Sequence, residues 1–206
     1  MHKIKKADKI IFKVSSAIIL LLSIADTYFL LKYEHFSQLL WFCNAALFLL
    51  AYGLFFRKSI VITGIFLGAI AVHLPWVLDF FAKLLFGRYL FGVSSYMFGY
   101  GFDSLRFYVE MDHLLIIPLS LYGIKKTGFH KNGWVVGTIV AIIINLGVYL
   151  FSSYKDNINC VFYNCLNQKT ILSWHPFVYF ILWTALISVL MFVLNRLIYK
   201  IVNRKK

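Results

Sequence analysis

Charge is scarce in this chain, and negative charge scarcer still: 14% of its 206 residues are charged and only eight are acidic. A soluble domain carries about 25% charged residues, so a water-facing globular surface is excluded. Cysteine and proline number three each, which rules out a disulfide-framed scaffold or a proline-rich linker. No C-x-x-C, H-x3-H or H-E-x-x-H spacing occurs, so redox and zinc-hydrolase motifs are missing. No stretch alternates apolar and polar residues with the period of a barrel strand. No internal repeat or low-complexity tract divides the chain, and no cofactor-binding motif is present, so no cofactor is expected.

What the chain has in abundance is hydrocarbon. Apolar residues make up 61%, aromatics 19% with 21 Phe, and the mean hydropathy is +0.79. Six apolar stretches approach the roughly 20 residues that cross a bilayer core of about 30 Å: Ile10–Leu31, Gln38–Phe56, Ile60–Ala82, Leu105–Ile124, Trp134–Ser152 and Trp174–Ile198. The chain therefore reads as an all-α, polytopic integral membrane bundle of six transmembrane helices, one domain over residues 1–206.

The net charge of +13 raises the question of nucleic acid, and its placement answers it. Lys3, Lys5, Lys6, Lys9 and Lys13 open the chain, Arg57 and Lys58 follow the second span, and Lys125, Lys126 and Lys131 follow the fourth. Arg196, Lys200, Arg204, Lys205 and Lys206 close it. That places 15 of 21 basic residues on one side, against Lys32, Lys83, Arg88, Arg106, Lys155 and Lys169 on the other. The positive-inside rule then predicts a multi-pass cell-membrane protein with both termini cytoplasmic. Its expected partners are membrane lipid and, at the cytoplasmic face, anionic headgroups. Nucleic acid is not among them, and the oligomeric state stays open. A secretory signal ending at Ser23-Ile24-Ala25 is the competing reading of the N-terminus, but the apolar run continues through Leu31 and the charge alternation needs this span. The Lys, Phe, Ile and Asn content suits an AT-rich bacterium.

Two outward loops stand out. Phe86–Ser104 is aromatic and glycine-rich, suited to lie in the interface or fold back as a lid. Ser153–Ser173 carries Cys160 and Cys165, either bridged on an oxidising outer side or free. Gly64-x-x-x-Gly68 permits close helix packing.

A charge in the bilayer centre costs about 2.5–3.5 kcal/mol on insertion scales, so such residues face cavities and mark function. Asp26, His73, Asp79, Arg106, Glu110, Asp112 and His113 all fall in the outer half of their spans, and Cys43 falls beside them. Together they predict one polar pocket opening outward. On the fourth span Arg106, Glu110 and His113 share a face, so Glu110 is expected to pair with both neighbours while Asp112 points away. A salt-bridged strut is the structural alternative. The third span brings His73 and Asp79 around Trp76, and Pro75 frees a carbonyl one turn earlier. The second brings Cys43 and Asn44 to about 8 Å below the outer boundary, near the roughly 12 Å depth of His113.

Leu40-Trp41-Phe42-Cys43-Asn44-Ala45-Ala46-Leu47 resembles the LWFC-[ND]-x-AL stretch of a group of uncharacterised bacterial membrane proteins. So do Pro75–Phe80, Ser95–Phe98, His113 with Pro118, Asn157–Tyr163 and Trp174-His175-Pro176, in the same order. More distantly the chain is similar to the YwaF-like integral membrane family and, around His113 and Pro118, to membrane lipid hydrolases of the androgen-induced type. The resemblance implies acyl chemistry on lipids, with Cys43 as nucleophile and His113 as base; the acidic run Glu110-Met111-Asp112 departs from the pattern. Three readings stand. In the first, Cys43, His113 and Glu110 are catalytic, with Arg106, His73, Asp79, Trp76 and Asn44 contacting substrate. In the second, the pocket binds a small molecule or ion, as in a transport or accessory protein. In the third, His73, Asp79, Glu110, His113 and His175 hold a metal for hydrolysis.

Overall fold

The computed structural model describes residues 5–34, 36–99, 101, 104–165 and 175–203. Lys3, Lys169, Trp174, Arg204, Lys205 and Lys206 lie outside the described residues, as do Tyr100, Phe102 and Asp103 of the first long loop and 166–173 of the second. Among the described residues seven helices follow one another: α1 (Lys6–Tyr33), α2 (Phe42–Phe55), α3 (Ser59–Phe86), α4 (Ser95–Gly99), α5 (Leu105–Thr127), α6 (Gly133–Phe151) and α7 (Pro176–Asn203). There is no strand among the described residues.

Helices α1, α3, α5, α6 and α7 are long and apolar enough to cross a membrane. Helix α2 is not: its 14 residues rise only about 21 Å at 1.5 Å each. The apolar run continues upstream, but Trp41 takes an extended backbone (φ −62°, ψ 135°), and Phe36–Leu40 form a separate 3-10 turn. The second span expected from Gln38 is thereby split just before Cys43.

Helix α3 is the centre of the bundle, packed against α2, α5, α6 and α7, while α1 lies along α2. Leu47, Leu50, Leu54, Ile62, Ile65 and Leu67 are fully buried there. Between apolar helices in lipid, close packing rather than water exclusion decides association, and glycine supplies it here. A Cβ on Gly64 would stand 2.8 Å from the Gly133 carbonyl oxygen and 2.9 Å from the Gly137 nitrogen. The outer faces are apolar instead of charged, with Leu21, Leu85, Ile143 and Leu186 exposed.

Two helices are irregular at matching places. Pro75 lacks the N–H that would reach Ala71, and Pro118 the one that would reach Leu114. Upstream of each, the helix changes pitch: a π-turn over Ala69–His73 in α3 and a 3-10 turn over Met111–Leu115 in α5. Such departures expose backbone carbonyls for other partners. The two turns meet, and His73 Nε2 donates to the carbonyl oxygen of His113 at 3.1 Å. At the far, basic end Lys126 pairs with Asp8 at 2.8 Å and the Tyr122 hydroxyl donates to it at 3.1 Å. The start of α1 is thus tied to the end of α5, and the irregular turns lie toward the opposite end.

Candidate functional site

A cavity of about 250 Å³ opens where the end of α1, the start of α2, α4 and the first turns of α5 meet. Asp26 and Glu34 come from the α1 side, Cys43 and Asn44 from α2, Tyr96 from α4, and Arg106, Glu110 and His113 from α5. Ligand sites usually run about 300–1,000 Å³, so this one suits a headgroup or ester linkage rather than a whole lipid.

The cavity wall carries a relay. Asp112 Oδ1 lies 2.6 Å from His113 Nδ1, with both residues buried. Cys43 and His113 line the same cavity. Since Nδ1 is engaged by Asp112, Nε2 is the ring nitrogen left for another partner. Cys43 is the free cysteine of the described chain and is partly exposed. It is the second residue of α2, where the positive end of the helix dipole stabilises negative charge. Its thiol also donates weakly to Asn44 Oδ1 at 3.8 Å, and Asn44 Nδ2 donates to the Gln38 carbonyl at 3.1 Å.

Around the relay runs a charged network. Arg106 Nη1 lies 2.9 Å from Glu34 Oε1, and Arg106 Nε lies 3.4 Å from Glu110 Oε1. The Tyr96 hydroxyl accepts from Trp76 Nε1 at 3.1 Å, and Tyr96 lines the cavity together with Glu110. The Trp76 ring stacks on His73 with centroids 5.3 Å apart and stands 5.4 Å from the His113 ring. The histidine is therefore held from behind by aromatic planes while its edge faces the cavity.

Several expectations need correcting. Asp112 does not point away: it, and not Glu110, binds the histidine. An ideal helix separates neighbouring side chains by about 100°, but the 3-10 turn breaks that register and Asp112 converges on His113. Glu110 turns to Arg106. Asp79 is fully buried yet does not line the cavity. Its Oδ1 accepts from the amides of Leu90, Phe91 and Gly92 at 2.7, 2.8 and 3.2 Å. Its Oδ2 accepts from the amide and hydroxyl of Ser94, both at 2.9 Å. A buried carboxylate with five donors is satisfied, and its work is to fold the loop ahead of α4. His73 and Trp76 stand behind His113 and do not line the cavity either. Arg106, Glu110, His113, Cys43 and Asn44 are brought together as expected.

The metal reading loses its ligands. His73 is engaged with a carbonyl and Asp79 with amides, and among the described residues no three His, Cys, Asp or Glu side chains converge on one point. Sequence reasoning also missed residues. Glu34 lines the cavity from just beyond the first apolar run, and Gln38 from the very start of the second, where a run is read for its length rather than for its polar end. Asn159 is a second case. Its Oδ1 accepts from the Phe42 amide at 2.9 Å and its Nδ2 donates to the Leu40 carbonyl at 2.8 Å, while its carbonyl accepts from Trp183 Nε1 at 2.8 Å. It stitches the second long loop, where Cys160 and Cys165 are bridged, to both sides of Trp41. The backbone leading into Cys43 is held from a distance of more than a hundred residues along the chain. No family model, curated protein or solved structure matches the chain.

Proposed function

We propose that this is a six-span cell-membrane enzyme that moves an acyl group of a lipid through a thioester on Cys43. The observation that carries the reading is a buried Asp112–His113 pair at 2.6 Å whose histidine shares a cavity with Cys43, since a nucleophile needs a base and the base an orienting acid. His113 takes the thiol proton through Nε2, and the Cys43 sulfur attacks the ester carbonyl. The tetrahedral adduct collapses to a thioester, and the departing alcohol leaves with the proton from His113. Water or another alcohol then gives its proton to His113, attacks the thioester, and releases Cys43 as the acyl group departs. Asp112 stabilises the imidazolium in both halves. The more distant resemblance, to the YwaF-like family and the androgen-induced-type lipid hydrolases, implies the same two residues, Cys43 and His113.

Helix α2 supplies the sixth span together with the 3-10 turn before it. Five residues at about 2 Å each add to the roughly 21 Å of α2, which reaches the thickness of a bilayer core. The lysine-rich end faces the cytoplasm, and the cavity opens on the other side.

The test is turnover of a short-chain phospholipid ester by the purified protein, with thioester trapping on Cys43 by hydroxylamine-sensitive labelling. Cys43→Ala removes both signals on this reading. Full turnover by Cys43→Ala sinks it and leaves the cavity as a binding site of a transport or accessory protein.

A further inference from the structure

Four of the chain's eight acidic residues gather at this cavity: Asp26, Glu34, Glu110 and, behind His113, Asp112. That is a marked excess in a chain of net charge +13. Three of the four have a partner, since Asp112 binds His113 and Arg106 binds both Glu34 and Glu110. Asp26 is the exception. It is 2% exposed, it lines the cavity, and its Oδ1 has no hydrogen-bond partner. Burying a carboxylate without a donor costs several kcal/mol. No lysine lines the cavity, so Asp26 has no spare cation of the protein to turn to.

We propose that Asp26 receives the ammonium of a lipid substrate whose phosphodiester headgroup carries a primary amine. This deepens the acyl-transfer reading and rests on it for the lipid nature of the ligand. The ligand is cationic at this point because the lining holds three carboxylates against one guanidinium and the His113 ring. It is a donor because Oδ1 is an unfilled acceptor, and a primary ammonium offers three N–H groups where a quaternary one offers none. Arg106 lies on the same cavity, placed to face the phosphate of a zwitterionic headgroup. Leu30 and Trp41 add apolar lining, which favours a lipid-borne amine over a free one.

Binding, measured without turnover, separates this proposal from the chemistry. Cys43→Ala protein in detergent is titrated with water-soluble dihexanoyl phosphatidylethanolamine, phosphatidylcholine and phosphatidylglycerol, and with glycerophosphoethanolamine. The ethanolamine lipid binds at least about tenfold tighter than the glycerol lipid, as expected when a buried charge pair is made or lost. It also binds more tightly than the choline lipid and than the acyl-free headgroup. Adding Asp26→Asn removes the preference while leaving phosphatidylglycerol binding unweakened, and Asp26→Glu keeps it. Equal affinity of the Cys43→Ala chain for the ethanolamine and glycerol lipids overturns the proposal without any Asp26 variant. Loss of binding to every lipid in Asp26→Asn overturns it too, because that outcome marks a structural residue. Equal binding of glycerophosphoethanolamine refutes the lipid assignment. Failure of the acyl reading appears elsewhere, as turnover that survives Cys43→Ala.

Discussion

Replacing Asp112 by Asn isolates the part of the site that sequence periodicity misassigned. The two groups are 2.6 Å apart, with both side chains buried, so solvent does little to weaken the pair. An Asn amide either donates to His113 Nδ1, which forces the ring proton onto Nε2, or accepts from it without the negative charge that steadies the imidazolium. Either way His113 is a poorer base toward Cys43. Losing the orienting acid in a nucleophile–histidine pair lowers kcat by about a thousand- to ten-thousandfold, which is about 4–5.5 kcal/mol of transition-state stabilisation. The fold is expected to tolerate the change. Asp112 Oδ2 already lacks a partner, so the new amide adds a desolvation cost of only about 1–3 kcal/mol. The assay is lipid-ester turnover beside the rate of Cys43 alkylation by iodoacetamide, with thermal stability in detergent as the control. Cys160 and Cys165 are bridged, so the labelling reports Cys43. A folded Asp112→Asn protein within about threefold of wild type in both assays refutes the relay.

Other outcomes follow from the same geometry. Asn159→Ala leaves the Phe42 amide and Leu40 carbonyl without their partner, so kcat falls with little change in KM, and hydrogen exchange rises at 40–44. Asp79→Ala removes five acceptor contacts in the loop ahead of Tyr96. Exchange at 90–94 then increases and KM rises, while Cys43 alkylation is retained. Gly64→Val drives a side chain into the backbone of α6 and costs about 1–3 kcal/mol, read as a lowered Tm with unchanged kcat in the protein that remains folded.

How far the sequence reaches depends on which physics is periodic. Five of the long helices are legible because each is a run of apolar residues long enough to cross a bilayer. The Arg106–Glu110 pair is legible because an intact helix repeats every 3.6 residues. Legibility fails where the repeat fails. The 3-10 turn at Met111–Leu115 swings Asp112 onto His113, and the extended Trp41 cuts the second span short. Proline at 75 and 118 announces that a helix will change pitch, but not which carbonyl the change will offer to which ring. Long-range pairs are further still from reach: nothing in the local pattern joins Asn159 to Phe42, or Asp79 to the amides of Leu90–Gly92. These are the contacts that hold Cys43 and Tyr96 in place. The irregular stretches are therefore where the fold departs from the economy of a plain bundle, and they coincide with the cavity. A bundle that only spans a membrane has no need of a π-turn and a 3-10 turn side by side, a buried Asp–His pair and an unpartnered carboxylate. Their convergence at one end is the strongest reason to look for chemistry there.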